Sequence, residues 1–267
     1  MSGLRFAVAG MEDAGGGLKR FASSGTALAL GRMGLFVLVL VIWQYLPSPA
    51  ARFWISDPVS IGTILLAWIQ DGTLLRNIVA TLQVMVAGYG VGCLCGIAFG
   101  LLFGLVRPLD RVLSPFVFAA YSLPKIALIP LFIILYGVGF ESKFMLDTLV
   151  VFFMLFGSTI DGVRNVDPDV VMMVRLMGAT QGELVRKVFV PAIKPWIFTG
   201  MRIAVNTAFS NTLLAELLAA NSGIGYLIIN AANQYDAAGT YAAVLVLVAA
   251  SVLLTEVLSL IEKRMAA

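Results

Sequence analysis

The chain has 267 residues, no histidine, 18 Lys and Arg against 15 Asp and Glu, and a formal net charge of +3. Hydrophobic residues make up 60% of it, charged residues 12%, and the mean hydropathy is +0.96. Soluble domains carry roughly a quarter charged residues, so this composition excludes an ordinary water-soluble domain and puts the chain in a bilayer. Without histidine the usual general base and the commonest metal ligand are missing, and no G-x-x-x-x-G-K-[ST] phosphate loop is present; any nucleotide that drives this chain is expected on another polypeptide.

Residues 1–24, with Gly15, Gly16, Gly17 and mixed charges, read as a cytoplasmic tail that brings Lys19 and Arg20 to the lipid surface. No small-residue cleavage pattern follows the first apolar run, so a signal peptide is not expected. The rest, 25–267, reads as one transmembrane domain. A span needs about 20 mostly apolar residues, and six candidates follow: 28–47, 80–106, 113–136, 143–161, 195–218 and 239–261. Arg32 in the first must snorkel to the interface. Between the first two, Pro47 to Asn77 is too interrupted to span. Its Asp57-Pro58 start and its Val59, Ile61, Ile64, Leu65 and Trp68 suggest an amphipathic helix on the membrane surface.

The second span repeats Gly88, Gly92, Gly96, Gly100 and Gly104 at every fourth residue, a ridge on which another backbone can approach closely. That ridge serves tight packing in the bundle or, alternatively, the transport route. Cys93 and Cys95, two apart on one helix, suit neither a zinc site nor a disulfide and read as packing residues. Counting Lys and Arg in alternate loops puts 14 on one side, including Arg107, Arg164, Arg175 and Lys187, and three, Arg52, Arg76 and Lys143, on the other. The richer side is expected in the cytoplasm, with both termini and an insert at 162–194.

That insert reads as a helix-turn-helix. Asp167 is a candidate N-cap, Pro168 suits the first helical position, and Gly178 can take the left-handed conformation that ends the helix. Thr180 and Glu183 have capping-box spacing for a second helix, with Leu184, Val185, Val188 and Phe189 opposite Glu183, Arg186 and Lys187. The first helix is apolar all round, through Val170, Val171, Met172, Met173, Val174, Leu176 and Met177. One neighbour cannot cover so much surface, and flexible, polarizable methionine suits a partner that changes shape, so a protein pocket is expected there.

Gly178-Ala179, Pro191, Pro195 and Gly200-Met201-Arg202 together resemble the cytoplasmic EAA loop of binding-protein-dependent ABC importer permeases. Leu123–Lys143 (LPKIALIPLFIILYGVGFESK) and Leu214–Ile228 (LAELLAANSGIGYLI) look like the branch that imports nitrate, sulfonates, taurine, and thiamine or flavin precursors. With Leu46 to Leu82, the likeness covers nearly everything after residue 45. One departure stands out: Met172, Met173 and Val174 occupy the positions of the family's Glu-Ala-Ala, so the contact made by that glutamate is absent. The resemblance implies an all-α polytopic membrane protein of six transmembrane helices with a cytoplasmic coupling-helix insert, like the type I ABC importer permeases. It further implies a bacterial inner-membrane location, a dimer of permeases (here a homodimer) forming the solute route, two ATPase subunits gripping helices 167–190, and an extracytoplasmic solute-binding protein. ATP would be bound by the partner, and no nucleic acid is involved. The coupling contacts would be Met172, Met173, Val174, Arg175, Met177, Gly178, Ala179 and Glu183, with Gly178 setting the angle between the helices and Arg175 meeting an acidic group.

Polar residues inside spans usually face the bundle interior. Asn206, Thr207, Ser210 and Asn211 share one face of the fifth span, with Glu216 further toward the outside. They line a pathway by weak, multiple contacts, or they bond neighbouring helices. Glu216 matches a family carboxylate ahead of Gly223, Gly225 and Tyr226; a coupling-ion site and a structural hydrogen bond to the following loop are both open. Lys125, between Pro124 and Pro130, either attracts anionic solutes or is absorbed by irregular backbone. Glu256 is expected near the cytoplasmic end of the last span. The expected cargo is a small anion such as a sulfonate, taurine or nitrate. The rival is a secondary carrier or channel that needs no ATPase, but no inverted repeat is evident. A DNA-binding helix-turn-helix fails because Arg186 and Lys187 are too few for phosphate contacts, and no catalytic pairing supports an enzyme.

Overall fold

A computed structural model describes residues 25–218 and 220–266, and all regular structure among them is helical. The tail expected at 1–24 lies outside the described residues. Two compact units divide at Thr63 and Ile64. The first holds α1 (Gly25–Tyr45), α2 (Pro49–Ile55) and the start of α3 (Pro58–Gln70). Asp57 caps α3 by accepting from the Ser60 N–H at 3.0 Å, while Gln44 of α1 donates to Asp57 at 3.3 Å and accepts from the Val59 N–H at 3.3 Å. These bonds satisfy donors that α3 leaves open.

The second unit is built on α4 (Thr73–Leu105), α7 (Phe140–Arg164) and α10 (Val190–Leu218). The glycine ridge decides how α4 meets α7. A Cβ on Gly88, Gly92, Gly96, Gly100 or Gly104 would fall 2.8, 2.7, 2.7, 2.6 or 2.8 Å from the Cβ of Asp147, Val151, Leu155, Thr159 or Val163. Both series step by four residues in the same sense, so the two helices run parallel and in register at a separation only glycine permits. Parallel neighbours oblige the chain between them to return across the membrane. It does so through α5 (Arg107–Ser122), a 3-10 turn (Lys125–Leu128) and α6 (Ile129–Tyr136), bent by 84°.

That bend corrects the expected span at 113–136, which is two helices and not one. Pro124 forces Leu123 into an extended conformation with ψ 136° and so ends α5. Lys125 is absorbed at the break, as one of the two readings expected: its ammonium donates to the Tyr121 carbonyl and lies 4.5 Å and 5.4 Å from the Tyr121 and Phe153 ring centres. Among the described residues five helices are long and apolar enough to cross a membrane, or six with the broken pair counted as one span. Other boundaries move too. α4 begins at Thr73, seven residues before the expected 80, and α7 begins at Phe140, which takes Lys143 out of the loop assigned to it and into a helix.

α10 runs antiparallel to α7: Trp196 packs on Gly162, Ser158 on Gly200, and Asn211 on Asp147. The main core joins Met85 and Cys93 of α4, Val151 and Leu155 of α7, and Ala204, Ala208 and Phe209 of α10. It also takes in Ile224 of α11 (Ile224–Asn233) and Val246 of α12 (Ala237–Ala266). Cys93 and Cys95 are free thiols.

Replacing Gly96 by Val drives a side chain into Leu155 and the Phe152 carbonyl, both 2.7 Å from the new Cβ. The expected loss is at least about 1–3 kcal/mol, read as a lower unfolding midpoint in detergent. Gly90, with nothing within 4 Å of a Cβ, should accept Ala without such a loss.

Candidate functional site

The 162–194 insert folds as an elbow. Asp167 accepts from the Asp169 N–H at 2.8 Å with Pro168 at the first position of α8 (Pro168–Leu176). The helix ends in a Schellman arrangement: Ala179 N–H donates to the Val174 carbonyl at 3.3 Å and Gly178 N–H to Arg175 at 2.9 Å, with Gly178 at φ 86°. A short α9 (Gln181–Leu184) follows behind a complete capping box. Glu183 N–H donates to Thr180 Oγ1 at 3.3 Å, and Thr180 N–H donates to Glu183 Oε2 at 3.0 Å. The Thr180 N–H and then Lys187, 3.0 Å from Oε1, hold the Glu183 carboxyl down at about 2, below the usual carboxylate range.

The second helix of the insert is not separate, contrary to the sequence expectation. A π-helical turn, Val185–Phe189, joins α9 directly to α10. Val190 N–H reaches back five residues to the Val185 carbonyl. Pro191 has no N–H to give Lys187, and a proline ring clashes with the carbonyl four residues earlier, so the wider turn relieves the crowding. Leu184, 1% exposed, anchors this root, whereas Met172, Met173 and Leu176 on α8 and Met177 at its C-cap are 61–83% exposed. An apolar face of that kind marks a binding surface. Arg175 and Gly178 are exposed beside it, and Val174, Ala179 and Glu183 are half-buried.

The polar residues of α10 do not all share one environment. Asn206 and Ser210 are exposed, and Thr207 is half-buried with its hydroxyl donating to the Ile203 carbonyl at 3.1 Å. Asn211 is buried and donates to Asp147 Oδ1 at 3.5 Å. Glu216 is fully buried. The single face that the spacing suggests is therefore split, and Asn211 and Glu216 turn into the bundle instead of toward an open route.

Around Glu216 the structure gathers residues far apart in sequence. Thr81 Oγ1 lies 3.0 and 2.9 Å from the two carboxylate oxygens, Gly225 N–H donates to Oε2 at 3.0 Å, and Lys143 Nζ stands 3.5 Å from Oε1. Lys143 also donates to the Ser222 carbonyl at 3.2 Å. Gly223 N–H donates to Asn77 Oδ1 at 2.8 Å and Ile224 N–H to Thr81 Oγ1 at 2.9 Å. Three successive N–H groups at the start of α11 thus end on α4 and on Glu216, where the partial positive charge of a helix N-terminus meets a carboxylate. Gly223 is at φ 116°, and a Cβ there would lie 2.1 Å from Glu216 Cδ. The hydrogen bond between Glu216 and the following loop, one of its two readings, is present. Sequence reasoning missed Lys143, Asp147, Asn77 and Thr81. Their signal was the i, i+4 spacing of polar residues on otherwise apolar helices.

A family model described as the inner-membrane component of binding-protein-dependent transport systems matches residues 92–267. The chain belongs to that family. It is a multi-pass inner-membrane permease subunit of an ABC importer, not an enzyme, and such an importer works with ATPase and solute-binding partners. Among curated relatives, the formylaminopyrimidine transport permease of Halalkalibacterium halodurans is 28% identical over 213 residues, 79% of this chain and 85% of that one. The taurine transport permease of Escherichia coli is 30% identical over 162 residues, 61% of this chain and 59% of that one. The fold is that of the MetNI methionine transporter in its inward-facing form, with TM-score 0.62 at 20% identity over 73% of this chain and 97% of the other. The fold expected from sequence is therefore present.

Removing Glu216 leaves Lys143 buried without its counter-charge, so Glu216→Ala should cost about 3–5 kcal/mol and show as loss of folded protein after detergent extraction. Lys143→Met with Glu216→Leu should recover part of that loss. In the elbow, Thr180→Ala, which removes the hydroxyl but keeps the N–H, should raise the Glu183 carboxyl from about 2 only part of the way toward its ordinary value. Because the folded value is depressed, the box is complete above the ordinary value and is lost as pH falls toward 2; a carbon-detected titration of the labelled carboxylate measures both.

Proposed function

We propose that this permease acts as a homodimer, admits a small anionic solute such as a sulfonate, taurine or nitrate, and takes its driving motion through α8 and α9 from an ATPase that alone binds ATP. The observation that carries this reading is the exposed Met172, Met173, Leu176 and Met177 face on a helix whose ends are both capped. A rigid, greasy, flexible-sided plug of this kind can stay seated while its socket moves. Met172, Met173 and Val174 replace a charged contact with apolar area, and Arg175 supplies the polar contact to an acidic group at the rim. Gly178, with the capping box of Thr180 and Glu183 behind it, fixes the angle at which α8 leaves α9, so displacement of α8 is transmitted through the π turn into α10.

The positive-inside count favours a cytoplasmic elbow and cytoplasmic termini. Asn206, Thr207 and Ser210 on α10 offer an amide and two hydroxyls to a passing solute, weak contacts that permit release. An anionic cargo is supported by the likeness to the taurine permease. The likeness to the formylaminopyrimidine permease supports a heterocycle as the second reading. Competition of both solutes for uptake separates them.

Gly178→Val places a β-branched residue at φ 86°, although nothing lies within 4 Å of the new Cβ. ATP-driven uptake should fall at least about tenfold, a barrier or coupling change near 1.4 kcal/mol, while membrane insertion is unchanged. Met173→Glu should reduce co-purification with the ATPase. Uptake by Gly178→Val at the native rate would remove the elbow from the mechanism.

A further inference from the structure

A groove of about 480 Å³ runs along the first turns of α4 and is closed on one side by Ser222. Its walls are Leu75, Val79 and Ala80, with Arg76 at one end and Gln83 about 10 Å deeper along the helix. Leu75 and Val79 are 68% and 40% exposed, and the stripe continues to Leu82 and Val86. This is the side of α4 away from Asn77, Thr81 and Val84, which are buried in the bundle. The groove therefore opens sideways, along an apolar helix face.

We propose that this groove is a site for an anionic phospholipid, with the headgroup phosphate on Arg76 and an acyl chain along Leu75, Val79 and Ala80. Arg76 is exposed and forms no contact ion pair with any described carboxylate; Asp71, nearest in sequence, feels its charge but takes its hydrogen bond from the Thr73 N–H at 2.8 Å. The guanidinium suits a phosphate bidentately. Gln83 lines the deeper end of the groove and offers an amide there. Ser222 is a fixed wall because Lys143 holds its carbonyl at 3.2 Å and Asn77 holds the next N–H at 2.8 Å. A charged end followed by two turns of apolar wall matches one lipid, head to tail, better than a fully soluble anion.

The proposal takes from the proposed function only the position of Arg76 at a membrane face. Intact permease purified in mild detergent is weighed by native mass spectrometry with dioleoyl phosphatidylglycerol or dioleoyl phosphatidylcholine. One phosphatidylglycerol per chain should be retained in preference to phosphatidylcholine. Arg76→Gln should weaken that retention about tenfold, the size of one charge-assisted contact, and Ala80→Trp should do so by filling the groove with Arg76 intact. Equal retention of the two lipids, retention unchanged by both variants, or displacement by equimolar inorganic sulfate would overturn it. The assay involves no ATPase and no sidedness, so its failure leaves the importer reading untouched, and a failure of ATP-driven uptake leaves the lipid site untouched.

Discussion

The buried carboxylate of Glu216 ties the second unit together. It stands where α4, α7, α10 and the start of α11 meet, and each sends it or its neighbours a hydrogen bond or a charge. Inside a bilayer no water relieves an open N–H or a lone ammonium, so these groups must satisfy one another or the helices cannot assemble. The bend at Ser222 and Gly223 that leads into α11 is irregular backbone at such a place, and it is tolerated because the Gly223, Ile224 and Gly225 N–H groups and the Ser222 carbonyl all find partners.

The glycine ridge complements that polar knot. Five glycines bring α4 against α7 over its length, and the uppermost, Gly88, packs on Asp147, one turn from Lys143. Close backbone approach and the buried charges are thus two parts of one interface. Together they form a stiff slab, against which α10 packs antiparallel. At the far end of α10 the structure changes character: a π turn, a capped single helical turn and a left-handed glycine lead to an exposed methionine face. A stiff slab joined to a jointed elbow is what a permease needs if motion is delivered to it from outside.

Local chemistry was legible in the sequence. Asp167, Pro168, Gly178, Thr180 and Glu183 announce their caps because each acts within a few residues of itself, and the four-residue glycine repeat announces a packing ridge. The broken third span was less so, since apolar content does not register that Pro124 bends the chain. Lys143 was read as a loop cation because the fourth span was expected to begin there. Its partner Glu216 lies 73 residues away, and Thr81 lies 135 residues from the same carboxylate. No periodicity in one segment reveals such pairings. The same limit applies to Asn211: its place in the 206–211 set left a pathway contact and a bond to a neighbouring helix both open, and only the fold brings Asp147 of α7 to it.

The central claim is that the elbow conducts motion from a separate nucleotide-binding subunit into the membrane helices. The most direct measurement is solute accumulation in proteoliposomes containing this permease and its binding protein, with and without the ATPase and ATP. Accumulation against a gradient only in the complete, ATP-supplied system is the predicted result. Accumulation of the same solute by the permease and binding protein alone, without nucleotide, would contradict it.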